Sequence, residues 1–160
     1  MGLPMAQGMD REKLEPIARE MMVKASKNLK NDGFVAFAVI LHMKNGRTIP
    51  VSVQGDEDSD KEHLGRTLRG LARECKFIVI INEMWLVLNP PEAGISMPVR
   101  NHPRRIEGIC VSAQSPHGEF MLVHKFERDS NNVPLESTEA HTVWMEGPPP
   151  TPTNFQGLFH

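Results

Sequence analysis

From Phe77 to Val111 the chain carries two apolar runs broken by charge, and this stretch constrains the fold more than any other. Phe77–Ile81 is β-prone and apolar; it meets a lone carboxylate, Glu83, then Trp85, and stays apolar to Leu88. A Pro-rich loop follows, and Asn101-His102-Pro103-Arg104-Arg105-Ile106-Glu107 leads into the second apolar run. Runs of this kind are too apolar for an exposed edge and belong to strands inside a sheet. Charge within such a strand is costly unless it is paired or used. Glu83, Arg105 and Glu107 therefore mark the candidate site region, although they name no reaction.

The other elements are read around that centre. Asp10 is a candidate N-cap, with Glu12 and Glu15 in a first turn where negative charge suits the helix dipole. Pro16 is poorly tolerated in a helix interior, so the regular helix is expected to begin near Glu15 with Pro16 at its first position. Leu14, Ile17, Met21, Ala25 and Leu29 recur at helical spacing, and Gly33 supplies a left-handed cap. Phe34–Met43 reads as a strand buried on both faces. Asn45-Gly46 between β-prone runs signals a hairpin, and Pro50 in the alternating Ile49–Val53 segment places the second strand near a sheet edge. Ser59 and Glu62 have capping-box spacing, and Leu64, Leu68, Leu71 and Cys75 form the apolar stripe of a second helix. Phe77–Leu88 is the third strand. Arg105–Ser115 and Glu119–Arg128 form a second hairpin, and Ala140–Met145 is a candidate for a last short strand.

The predicted order is α-β-β-α-β-β-β, an α+β domain with two helices over one face of a mainly antiparallel sheet of about five strands. Profilin-like and roadblock-like domains share this order, an analogy of fold that carries no function. Residues 1–9 lack periodicity and are expected to be flexible, residues 10–145 form the single domain, and residues 146–160 are a Pro-rich tail. Gly147 to Thr153 reads as a stiff, disordered spacer outside the core.

Composition excludes several classes. A chain of 160 residues suits one domain with a genuine core. Eighteen basic against twenty acidic residues give a net charge of −2, so no global field favours nucleic acid or an acidic membrane. Cys75 and Cys110 both sit on apolar patterns, as buried reduced thiols do, which points to the cytoplasm rather than to a disulfide or metal site. No signal-peptide pattern is visible, and no apolar run approaches the ~20 residues of a membrane helix. The seven histidines include no zinc spacing, and phosphate-cradling loops, nucleophile elbows and His-Glu-x-x-His are absent from the sequence. No metal and no cofactor is expected.

Glu83 and Trp85 share a strand face, as do Arg105 and Glu107. If the third and fourth strands are neighbours, Glu83 and Arg105 form a cross-strand ion pair near the sheet end, with Trp85 packed over it as a clasp on the long loop. The alternative is a cleft in which Glu83, Trp85, Arg100, His102, Arg105 and Glu107 meet a ligand or partner. Glu-x-Trp (Glu83, Trp85) followed by Pro-x-Arg-x-Glu (Pro103, Arg105, Glu107) resembles the pattern of an uncharacterised family of small bacterial and phage-encoded proteins. The resemblance covers a minor part of the chain and departs at Asn82, where a small residue is expected. It implies a bacterial or phage origin and supports this site region, and it implies no activity.

Two further surfaces are candidates. Arg66, Arg69, Arg73 and Lys76 form a basic stripe on the second helix, but helical charge runs are usually solvated faces, and the chain has no tyrosine and little aromatic interleaving for stacking bases. Phe155, Gln156, Leu158 and Phe159 follow the polar tether as a peptide suited to a protein partner. They resemble the Gln-then-Leu-Phe peptides that dock on bacterial sliding clamps, with a spacing one residue short. The strand containing Pro50 leaves an open edge that favours pairing with a second copy. The sequence thus reads as a non-enzymatic intracellular binding or adaptor protein, expected to be a homo-oligomer. A hydrolase using Glu83 or Glu107 as general base is the first alternative, and nucleic-acid association through the basic stripe is the second.

Overall fold

A computed structural model of the chain describes residues 3–52, 58–86, 105–147, 155, 156, 158 and 159. The elements run α1 (Leu3–Asp32), β1 (Ala38–Met43), β2 (Thr48–Ser52), α2 (Asp58–Leu71), β3 (Cys75–Leu86), β4 (Ile106–Ser115), β5 (Gly118–Phe126) and β6 (Thr138–Glu146). One 3-10 turn, Ala72–Glu74, links α2 to β3. All strands pair antiparallel in the order β2-β1-β3-β4-β5-β6. This is the expected α+β architecture with six strands rather than five, because β6 extends over nine residues beside β5. β2, carrying Pro50, lies at a sheet edge as read from the sequence.

α1 starts earlier than its periodicity suggested. It spans 30 residues and passes through Pro16, so the backbone of residues 3–9 is helical. Proline removes the N–H that would bond the Glu12 carbonyl, which costs about 3 kcal/mol in a helix interior. Packing over the following turns offsets this loss. Leu14, Ala18, Met22, Ala25 and Leu29 are buried against the sheet, with Ile17 and Met21 at the margin of that stripe. The stripe is rotated slightly from the expected one, since Ala18 and Met22 take the central places. The helix ends at Gly33, whose φ of +83° only glycine adopts freely and whose N–H donates to the Leu29 carbonyl at 2.8 Å.

The helices cover opposite faces of the sheet, not a single face. Along β3, Val79 and Ile81 pack with α1, whereas Ile78 and Ile80 pack with α2. Ile109, Val111 and Ala113 of β4 and Phe120, Leu122 and Phe126 of β5 complete the α1 core. Val39 and Leu41 of β1 join Leu68 and Ala72 in the α2 core. The cause is the apolar continuity of the central strands: side chains alternate between faces, so a strand apolar at consecutive positions needs a cover on both.

Cys75 opens β3 rather than closing the second helix. His42 pairs with Phe77 and Met43 with Cys75, which leaves Lys76 as a bulge. Cys75 therefore enters the α2 core while Phe77 packs against the α1 core. At the other hairpin, Gly118 is required by close approach: a Cβ there would lie 2.4 Å from the Met145 carbonyl oxygen of β6.

Both cysteines are free and buried. Burial pushes the Cys110 thiol up to about 12, with Glu119 adding to the effect, and burial raises Cys75 as well. The thiolate is the reactive species, so neither cysteine should react with a disulfide reagent at neutral pH in the native protein. Both should react once guanidinium unfolds the chain. Native-state labelling at the unfolded rate would show that the β3–β4 core opens readily.

Candidate functional site

Glu83, Trp85 and Glu107 lie at one end of the β3–β4 ladder, on the face that carries α1. Trp85 is opposite Glu107, Glu83 is opposite Ile109, and the ladder's last rung joins Leu86 to Ile106. Arg105 stands beyond that rung, so the expected cross-strand pair between Glu83 and Arg105 is replaced by other contacts. The Glu83 carboxylate accepts the Val35 backbone N–H just past α1. The Arg105 guanidinium lies over the Trp85 ring, 5.0 Å from its centroid, in a cation–π contact. Arg100, His102 and Pro103 are outside the described residues.

Glu107 is paired with a residue that sequence reasoning passed over. Arg128 Nε donates to both Glu107 carboxylate oxygens, at 3.0 and 3.1 Å. Its Nη2 donates to the Gly33 carbonyl and its Nη1 to the Asn132 carbonyl, each at 3.2 Å. Its guanidinium also lies 5.4 Å from the centre of the Phe126 ring. One side chain thus joins β4, the end of β5, the cap of α1 and the turn at 129–133. The planar fork of arginine makes these several bonds possible at once, and a cation beside the last carbonyls of a helix suits the dipole. The Glu107 hydrogen bonds, and more weakly the field of Glu83, hold the guanidinium firmly protonated. The turn is built locally: Asp129 Oδ1 accepts the N–H groups of Asn131 at 2.8 Å and Val133 at 3.0 Å. The sequence did carry a signal, because Phe126 and Arg128 have the spacing of one strand face and Asp129 to Asn132 is turn composition.

Three large apolar side chains stand exposed around this clasp: Phe34 at 57%, Trp85 at 43% and Val133 at 50%. Phe34 sits between Gly33 and Val35, both bonded into the clasp, and Val133 follows Asn132. A cleft of about 380 Å³ lies alongside, lined by Ile106, Phe126, Leu135 and Thr138 among others. Chemically the arrangement offers a paired, multiply hydrogen-bonded charge centre with apolar side chains exposed beside it. Both carboxylates are already engaged as acceptors.

The basic stripe is divided by the fold. Arg66 and Arg69 are on α2, Arg73 is in the 3-10 turn and Lys76 is the bulge residue of β3. Arg66, Arg73 and Lys76 are exposed, whereas Arg69 Nη2 donates to the Gln156 carbonyl at 3.0 Å.

The tail residues also depart from expectation. Phe155, Leu158 and Phe159 pack into the α2 core, with Leu158 only 2% exposed, where the sequence suggested a peptide on a tether for a protein partner. The spacer expected from Gly147 to Thr153 lies, beyond Gly147, outside the described residues. The Phe155 ring lies 5.0 Å from that of Phe37. Beneath them Ser112, Gln114 and Glu119 form a buried polar group. Gln114 Nε2 donates to the Phe155 carbonyl and to Ser112 Oγ, and Gln114 Oε1 accepts the Leu158 N–H at 3.2 Å. Ser112 Oγ donates to one Glu119 oxygen, and Gln156 Nε2 donates to the other at 3.3 Å. Burial raises the Glu119 pKa, partly opposed by these two hydrogen bonds.

Two outcomes follow. Arg128→Ala should destabilise the fold by about 1–2 kcal/mol in urea unfolding, a partly screened value for a half-buried pair that also loses two carbonyl bonds. Arg128→Lys should recover less than half of that, because an ammonium cannot reproduce the fork. Glu119 has a folded pKa above its unfolded one, so its folded form holds the proton more tightly. Stability should therefore fall as pH rises from the ordinary carboxylate range through the raised value. Glu119→Gln should flatten that part of the stability–pH curve, and a slope unchanged by the substitution would count against the assignment.

Comparison with protein-family models, with curated proteins and with solved structures finds no match for this chain.

Proposed function

We propose that the chain is a non-enzymatic binding or adaptor protein that takes a protein partner on the clasp end of its sheet. The observation that carries this reading is the exposed trio Phe34, Trp85 and Val133 set around charges that are already paired. The cores of protein interfaces are rich in aromatic residues and arginine and poor in unpaired charge, and their binding energy concentrates in a few such side chains. Trp85 with Arg105 over its ring has that character. A fixed clasp holds these side chains in place before a partner arrives, which lowers the ordering cost of binding.

The same geometry lends less support to a hydrolase. A general base must be free to accept a proton from substrate or water, and Glu83 and Glu107 each already accept hydrogen bonds. The nucleic-acid reading is weakened by the division of the basic stripe between helix, turn and strand. Free, buried cysteines suit a reducing compartment such as the cytoplasm. Among the described residues no helix is long and apolar enough to cross a membrane. The open edge at β2 is the surface on which we place pairing with a second copy.

The test is a single substitution. Trp85→Ala should weaken retention of the cognate partner by about 30-fold, as loss of an interface anchor does. Its melting temperature should stay within a few degrees of the parent. Undiminished partner capture by a well-folded Trp85→Ala protein would refute the reading.

A further inference from the structure

The groove that holds the C-terminal residues lies on the sheet face opposite the clasp. Its polar contacts read both backbone and side chain. The Gln114 amide donates to the Phe155 carbonyl and accepts the Leu158 N–H, two backbone groups three residues apart that a bend in the tail brings to one side chain. Arg69 takes the Gln156 carbonyl, and Glu119 takes the Gln156 side-chain amide. Leu158 is buried in the cluster that includes Leu68, Ala72 and Ile78, and Phe155 meets Phe37. A bent segment with an aromatic residue, then glutamine, then leucine two places on satisfies every one of these contacts.

We propose that this groove is a peptide-binding site and that it exchanges its own tail for the tail of a second copy of the chain. Each of the groove's hydrogen-bonding groups belongs to the folded body, on α2, β4 or β5, so a segment supplied by another copy meets the same donors and acceptors. The connection from Gly147 to Phe155 passes through residues 148–154, with prolines at 148, 149, 150 and 152. Exchange of an identical element between copies adds no new contact requirement. The attached tail competes at the high effective concentration of a short tether, so exchange shows when that competitor is removed. This surface is independent of the clasp end, and neither proposal requires the other.

The experiment uses full-length chains. A variant with Phe155→Ser and Leu158→Ser keeps the groove and loses the tail's anchors. A fluorescent peptide of residues 153–160 should bind it saturably, with affinity at least tenfold higher than for the unaltered chain. Adding Gln114→Ala should weaken that binding by about tenfold, the effect of losing a pair of hydrogen bonds. Mixed with a chain carrying Gln114→Ala and a native tail, the tail variant should form a one-to-one heterodimer that unlabelled peptide dissolves. Three results would overturn the proposal. One is a tail variant that folds by circular dichroism and binds no peptide. Another is equal binding by the unaltered chain. The third is a tail variant that fails to fold, since the segment would then be a fixed part of the core.

Discussion

The central strand β3 must be covered twice. Its consecutive residues Ile78, Val79, Ile80 and Ile81 are all buried, so its alternation sends apolar groups to both faces. Burying each such side chain contributes about 1.5–3 kcal/mol relative to exposure, which no polar surface strand could return. The placement of α1 on one face and α2 on the other answers this demand. The run through Pro16, the long buried stripe of α1 and the seating of the tail beside α2 are consistent with it. The two cores are separate clusters that share only the sheet between them.

Where α1 leaves the sheet, hydrogen bonds add to the apolar packing of Val35. Glu83 holds the backbone at Val35, and Arg128 holds the carbonyl at Gly33, so the chain is gripped on both sides of Phe34. The far edge is tied more loosely, by the exposed ion pair of Arg19 with Glu139 at 2.8 Å and by the hydroxyls of Ser26 and Ser137 at 2.9 Å. Exposed pairs of this kind contribute little and are screened by salt. The buried end of α1 is therefore fixed chiefly at the clasp, and exposed aromatic groups there are presented from a rigid frame.

Much of this was legible in the residues. The Asn45-Gly46 hairpin, the edge position of Pro50 and the facing of Phe120, Leu122 and Phe126 follow from local rules of turn chemistry and period two. What escaped depends on register or on convergence of distant segments. Arg105 misses Glu83 because the register sets Ile109 opposite Glu83, four residues along the chain from Arg105. Arg128 binds Glu107 and the Gly33 carbonyl, both remote from it in sequence, and no spacing announces their convergence. β6 is mostly half-exposed, so its pattern was too mixed to fix its length. The seat of the tail's apolar residues is set by Ser112, Gln114 and Glu119, which lie on strands distant from them in sequence. A polar residue in an apolar strand is a better sign of something resting on the sheet than of chemistry within it.

The bulge at Lys76 gives β3 a spare residue. Because Cys75 and Phe77 already face opposite cores, removing Lys76 leaves the alternation of everything downstream in phase. A one-residue change a few positions later, between Ile78 and Ile81, would instead exchange the side chains presented to α1 and α2. The start of the central strand is thus the one point along it where evolution can lengthen or shorten the chain without mixing the two cores.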